Sequence, residues 1–268
     1  MRRLLMRLVL YVLAVALLMV GSAFTTHAKV QDDGLILYFS FDAAKGGKVV
    51  DETGGGNDGE IVDGAKIATN EVVHGKGSML FDAAGDSVTV DSFKELEDYT
   101  DNSYLFWLHF TKANSGGWDQ IIAKKAPGSD RSPGIWTCNR VPLYIHYRFN
   151  PGNQGTLCAG PDGEEDTFEI GEWYHIAGVK KDAKLAFYVN GKKVAEPGVP
   201  KDHAQGAEKM YIGKTGYSSA KFYIDDLYVY DRAVDADEVE DIMDGKLLPV
   251  EPADKLATTW GQVKTRRE

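Results

Sequence analysis

From residue 35 onward the chain is built of short runs in which apolar and polar residues alternate, and that period of two leaves little room for anything but β-structure. The runs "LILYFSF" (35–41), "SMLF" (78–81), "DSVTV" (86–90), "NSYLFWLHF" (102–110), "EWYHIAGV" (172–179), "KLAFYVN" (184–190), "KMYIG" (209–213) and "KFYIDDLYVY" (221–230) are rich in β-branched and aromatic residues. Such side chains suit a pleated surface, and alternate ones share a face. Asp-Gly, Asn-Gly and Pro-Gly pairs punctuate the runs. In "FYVNGKKVA", Asn190-Gly191 supplies the two positive φ values of a type I′ turn, joining strands over 185–189 and 192–195. Many short strands with turn punctuation predict a sandwich or a closed barrel rather than βαβ units. One helix stands out. Asp235 can cap "ADEVEDIMD", with Glu238 as its capping-box partner and Gly245 just past the end. Val239, Ile242 and Met243 form its expected inner face.

The first 28 residues differ from the rest. Arg2, Arg3 and Arg7 precede an uncharged apolar run from Leu8 to Val20, followed by small and polar residues up to Ala28. This is the pattern of a secretory signal. The run has 13 residues, and a helix needs about 20 to span a bilayer. Cleavage is expected after Ala28, with Ala23 as the alternative. An uncleaved anchor is the other reading, and the only route to a membrane. The expected location is secreted, periplasmic or cell-surface. Residues 29–248 then make one β-sandwich domain, a size common for single all-β units. Residues 249–268, "PVEPADKLATTWGQVKTRRE", form a tail that either docks through Trp260 or serves as a linker.

A net charge of −10 at pH 7 argues against nucleic acid, which rewards clustered Lys and Arg. It suits an exported protein able to hold cations. The two cysteines, Cys138 and Cys158, enclose "NRVPLYIHYRFNPGNQGTL", which reads as strand, Pro-Gly turn and strand. In an oxidising compartment the simplest reading is a disulfide stapling that hairpin, with two free thiols as the alternative.

Three segments resemble the LamG-like jelly-roll domains of the concanavalin A-like lectin/glucanase superfamily. "GEWYHIAGVKKDAKLAFYVNGKKV" looks like their central signature, and "FYIDDLYVYDRAVDADEV" like their closing one. "LILYFSFDAAKGGKVVDETGGGNDGEI" resembles their first strand and glycine-rich loop. The resemblance implies two packed antiparallel sheets in a jelly roll. For function it implies a carbohydrate binder, a protein-adhesion module or a spacer, and fold alone does not choose among them.

Members of this superfamily often tie an early loop to the last strand with Ca²⁺. That ion takes about 6–8 oxygen ligands, and Asp42, Asp51, Asn57, Asp58 and Asp226 are the candidates here. Strand alternation places Asp225 and Asp226 on opposite faces, so only one is expected to face inward. The competing reading is an Asp/Asn-rich loop capped by its own side chains. An aromatic platform for a sugar is sought around the presumed disulfide hairpin, with Trp118, Tyr147 and Arg148 as the ligand-binding candidates. "EEDTFE" matches in form the E-x-D-x-x-E motif of laminarinase-like hydrolases, making Glu164, Asp166 and Glu169 the candidate acids of a glycosidase. That stretch follows the turn "GPDG" and reads more easily as a solvated loop edge. No G-x-S-x-G elbow occurs, and His109 and His175 read as structural histidines rather than bases. The expectation is an exported, non-catalytic module that binds a glycan or an extracellular or envelope protein. A laminarinase-like hydrolase and a structural envelope-associated protein are the alternatives.

Overall fold

The computed structural model describes residues 30–247, apart from Gln31, Val141, Leu157 and Glu165. The leader expected over 1–28 and the tail over 249–268, with Trp260, lie outside the described residues. In chain order the strands are β1 (Leu35–Phe39), β2 (Ala44–Lys45), β3 (Lys48–Val49), β4 (Gly59–Val62), β5 (Lys66–Ala68), β6 (Ser78–Phe81), β7 (Ser87–Val90), β8 (Asn102–Phe110), β9 (Asp119–Lys124), β10 (Gly134–Thr137), β11 (Ile145–Phe149), β12 (Gln154–Gly155), β13 (Trp173–Lys181), β14 (Lys184–Val189), β15 (Lys192–Ala195), β16 (Met210–Gly213) and β17 (Phe222–Tyr230). They form two antiparallel sheets. The eight-stranded sheet runs β15-β14-β13-β8-β17-β6-β5, with β1 also paired to β17. The nine-stranded sheet runs β12-β11-β10-β9-β16-β7-β4-β3-β2. Of the sandwich and the closed barrel that the alternation allows, this is the sandwich, with the two packed antiparallel sheets that the resemblance implies.

The alternation explains the core. Tyr104, Phe106, Leu108 and Phe110 of β8 point between the sheets and meet Ile135, Ile145, Tyr147 and Phe149 of the other sheet. All of these are fully buried, and each large apolar side chain contributes about 1.5–3 kcal/mol on leaving water. A second, smaller cluster lies on the opposite face of the eight-stranded sheet. There Tyr38, Leu105, Ala177, Tyr228 and Tyr230 are covered by Val234, Val239 and Ile242. The covering helix, Ala236–Met243, carries the expected capping box: the Asp235 carboxylate accepts from Glu238 N at 2.9 Å, and Glu238 accepts from Asp235 N at 2.6 Å. Arg232 holds Glu238 through both guanidinium nitrogens, at 2.9 and 2.5 Å.

Local chemistry fixes the connections. Asn190 and Gly191 have φ of 49° and 76°, the type I′ turn expected between β14 and β15. Cys138 and Cys158 form the expected disulfide, with their Cα atoms 6.0 Å apart. Two lysines, unlike most of their kind, lie inside the fold and fasten loops through backbone carbonyls. Lys180 Nζ donates to Thr100 O, Asp182 O and Lys201 O at 2.8–2.9 Å. Lys124 Nζ donates to Lys125 O and Gly206 O at 2.5 and 2.8 Å.

The two sheets come close at Gly178 of β13, where a Cβ would meet the Tyr147 ring at 2.3 Å. The ring is buried on all sides and has nowhere to retreat. Gly178→Ala is therefore expected to destabilise the fold by about 1–3 kcal/mol through overpacking. That lowers the melting temperature by several degrees, since each kcal/mol shifts a domain of this size by about 2–4 °C. Gly198→Ala, where nothing lies within 4 Å of the new Cβ, is the control and should melt with the parent protein.

Candidate functional site

Three nine-residue strands, β13, β8 and β17, lie side by side. Each carries an aromatic residue followed two positions later by His or Asp: Trp107-Leu108-His109, Trp173-Tyr174-His175 and Tyr223-Ile224-Asp225. The intervening residues face the core, so these six share the outer face. The pairing places Trp173 and Tyr223 on either side of His109, and His175 and Asp225 on either side of Trp107. Two rows of three result. The His109 ring lies 5.2 Å from Trp173 and 5.4 Å from Tyr223, and Trp107 lies 5.3 Å from His175. Trp107, Trp173 and Tyr223 are each partly exposed, whereas His109 and His175 are buried beneath them. Burial pushes the His175 imidazole down to about 3, with His74 adding to the effect. Burial also lowers His109, against the pull of Glu71 and Glu172. Both histidines are thus neutral at pH 7 and act as flat rings in an aromatic surface, in line with a structural rather than a basic role. Their Nδ1 atoms find no hydrogen-bond partner among the described residues.

A polar cluster borders this surface, created by a bulge. The register of β17 against β8 shifts between Asp225 and Tyr228, and Asp226 takes a φ of 48°. The sequence expectation that Asp225 and Asp226 point to opposite faces is corrected here. The extra residue breaks the alternation, so Tyr223, Asp225, Tyr228 and Tyr230 all lie on the outer side and both carboxylates are buried. Asp226 accepts from Tyr38 Oη at 2.6 Å and pairs with His74 Nδ1 at 2.7 Å. Asp225 accepts backbone N–H groups from Val73 at 2.9 Å, His74 at 3.3 Å and Asp226 at 3.0 Å. The His74 ring meets Trp107 edge-on at 6.2 Å, joining the cluster to the aromatic surface.

The five residues expected to hold calcium are divided among three places. Asp51 organises the glycine loop: its carboxylate accepts from Thr53 N, Thr53 Oγ1 and Asn57 N at 2.7–3.1 Å, while Asp58 accepts from Asp51 N at 2.9 Å. Asp42 instead caps the turn at 75–77, accepting from Lys76 N and from Gly77 N at 3.1 Å. Asp226 serves Tyr38 and His74, not the glycine loop. Among the described residues no three of these carboxylates bring ligand atoms together around one point. The set as arranged does not fit a single calcium ion.

Of the ligand-binding candidates, Trp118 and Arg148 meet at His146, whereas Tyr147 faces the other way. Tyr147 is fully buried in the core, a correction to its expected place on the surface: β11 pairs so that Tyr147 faces the other sheet under Gly178. Arg148 is buried and donates through Nη1 to Asn153 O and Gly155 O at 2.8 and 2.9 Å. Trp118 remains half-buried, packed on His146 at 4.4 Å. Glu164, Asp166 and Glu169 are exposed and lie outside any strand. A Ser132-His203-Asn102 chain also occurs, at 2.7 and 3.3 Å. Ser132 Oγ donates to Ala204 O, so its proton is not offered to the imidazole.

Two outcomes follow from these contacts. Chelation with EDTA should leave the melting temperature unchanged, whereas an ion held by the native state would raise it by mass action. The His74 cluster should weaken as pH rises. The bond to Asp226 raises the His74 pKa against the opposing effect of burial, so its contribution is complete below the unfolded value of 6.5 and fades through the raised one. Burial first, and Asp226 second, raise Asp225 to about 8, so its contribution fades between the unfolded value of 3.8 and that pH. Denaturant midpoints at pH 5 and pH 9 should therefore differ more for the parent protein than for Asp225→Asn, and parallel behaviour would refute the assignment.

The description of the family model that matches residues 82–240 is concanavalin A-like lectin/glucanases superfamily. No curated protein matches the chain. Among solved structures, the binding domain of Paraclostridial Mosquitocidal Protein 1 is similar with a TM-score of 0.61 at 14% identity, over 78% of this chain and 51% of that one. The receptor binding domain of botulinum neurotoxin D is similar with a TM-score of 0.59 at 16% identity, over 81% and 54%. Trypanosoma rangeli sialidase in complex with sialic acid has a TM-score of 0.57 at 16% identity, over 83% and 35%. This chain thus spans between a third and about half of the solved chains it resembles, and at these identities the likeness is one of fold. With the family model matched over more than half of its length, the chain belongs to the concanavalin A-like lectin/glucanases superfamily.

Proposed function

We propose that the protein is an exported, non-catalytic binding module that takes a glycan on the outer face of β13, β8 and β17. The observation that carries this reading is the grid in which Trp107, Trp173 and Tyr223, all partly exposed, surround a neutral His109. Strands about 4.8 Å apart make such a grid about 10 Å wide, enough for an extended saccharide. Aromatic faces stack on the apolar C–H side of a pyranose, and polar groups at the rim set its orientation. Glu71, exposed Glu172 and His74 supply that rim. The face is built on long paired strands, so little conformational entropy is lost on binding. The disulfide supports export, because such bonds persist in oxidising compartments. Two structural neighbours, a toxin binding domain and a neurotoxin receptor binding domain, support a binding role. The sialidase neighbours are enzymes, and the three acids nearest to a glycosidase motif lie exposed outside any strand.

A glycan array followed by tryptophan-fluorescence titration tests the reading. Trp173→Ala and Tyr223→Ala should each weaken the best-bound oligosaccharide about tenfold, equivalent to about 1.4 kcal/mol, with melting temperatures close to the parent's. Binding that survives both substitutions would reject the grid. No glycan bound at all would redirect the search to an extracellular protein.

A further inference from the structure

Away from the grid, on the nine-stranded sheet, three buried side chains with metal-ligand chemistry converge. The ligand atoms of Cys138, Cys158 and His146 all lie within 4.8 Å of one another. Register explains the convergence. His146 pairs with Trp136 across β10–β11, so Cys138, two residues beyond Trp136, shares its face. On the other side Ile145 and Ala159 exchange backbone hydrogen bonds at 2.8 and 2.9 Å, which sets Cys158 opposite His146. Three neighbouring segments thus hold two sulfurs and an imidazole around one point, and the Cα atoms of the two cysteines are 6.0 Å apart.

We propose that this disulfide is one state of a redox-controlled site, and that its reduced form binds a thiophilic divalent cation, Zn²⁺ or Co²⁺, through Cys138, Cys158 and His146. In the first step a dithiol reductant transfers two electrons and two protons. The Cys138–Cys158 bond breaks, two thiols form, and the reductant closes to its own disulfide. In the second step the two thiols each lose a proton to solvent and the thiolates bind the cation. With metal–sulfur bonds of about 2.3 Å the sulfurs part to about 3.8 Å, a movement of side chains alone. Two thiolates neutralise the ion's charge, so the complex adds no net charge to a buried place. The cation competes for the imidazole lone pair with Arg148 Nε, which lies 3.2 Å from His146 Nε2 and 3.4 Å from Nδ1. Arg148 keeps its Nη1 bonds to Asn153 O and Gly155 O throughout. Neutral imidazole and thiolate are the donors that Zn²⁺ takes in three-ligand sites with one open position.

The test uses the full chain, reduced with a dithiol and desalted without oxygen. Added Co²⁺ should produce a thiolate-to-cobalt charge-transfer band and tetrahedral d–d bands at one equivalent per chain. Zn²⁺ should bleach both, and the oxidised protein should give neither. His146→Gln, with both thiols intact, should weaken Co²⁺ at least tenfold, and Cys138→Ser should abolish the charge-transfer band. Zn²⁺ should also raise the melting temperature of the reduced parent but not of reduced His146→Gln. A folded, reduced protein without the cobalt spectrum overturns the proposal, as does a His146→Gln variant that binds as tightly as the parent. A reduced chain that loses its β circular-dichroism signal and fails to regain it with Zn²⁺ overturns it too.

Discussion

The in-register pairing of β8 with β13 on one side and β17 on the other is the constraint on which the rest of the molecule depends. Successive residues of a strand face opposite ways, so a single nine-residue strand does two jobs at once. Tyr104, Phe106, Leu108 and Phe110 close the core. Trp107 and His109 stand on the other face, between partners that the same register delivers. Slipping any of the three strands by one residue would exchange these faces and empty the core. The stability of the sandwich and the composition of its outer surface are thus one quantity seen from two sides.

The bulge in β17 modifies this plan at one place. With unbroken alternation Tyr223 and Tyr228 would face opposite ways, and the outer surface could not be aromatic along its length. The extra residue at Asp225–Asp226 lets one strand present Tyr223 beside His109 at one end and Tyr228 under the covering helix at the other. It buries two adjacent carboxylates, which is unfavourable unless they are bonded. The loop at Val73–His74 satisfies them with two N–H groups and an imidazole. A distant turn is tied to the last strand in consequence.

The acidic residues elsewhere act in a related way. Asp51, Asp42 and Asp86 each collect two or more donors from the turns around them, and Asp86 binds Gly64 N, Asp82 N and Ala83 N at 2.8–3.1 Å. A jelly roll with many tight turns leaves backbone N–H groups without strand partners, and a short carboxylate is the cheapest acceptor to supply. The same need is met at residues 51–59, where Asp51 and Asp58 take the donors of the glycine loop. Buried Lys124 and Lys180 do the converse for turns with spare carbonyls.

Much of this was legible in one dimension. Period-two runs marked β1, β6, β7, β8, β13, β14, β16 and β17, Asn190-Gly191 marked a hairpin, Asp235 and Glu238 marked a helix start, and two cysteines marked a bridge. These are local signals, read from neighbours within a few residues. The grid was also written there, as Trp-x-His, Trp-x-His and Tyr-x-Asp, but nothing local says that residues 107, 173 and 223 stand side by side. Tyr147 and Asp226 mark the limit of local reading. One became core because the facing sheet offers Gly178 as a recess, and the other left its expected face because a bulge absorbed one residue. Strand identity was thus determined by sequence, because alternation belongs to each segment alone. Which residues meet was decided only by the tertiary structure, because register is settled by packing between segments more than sixty residues apart.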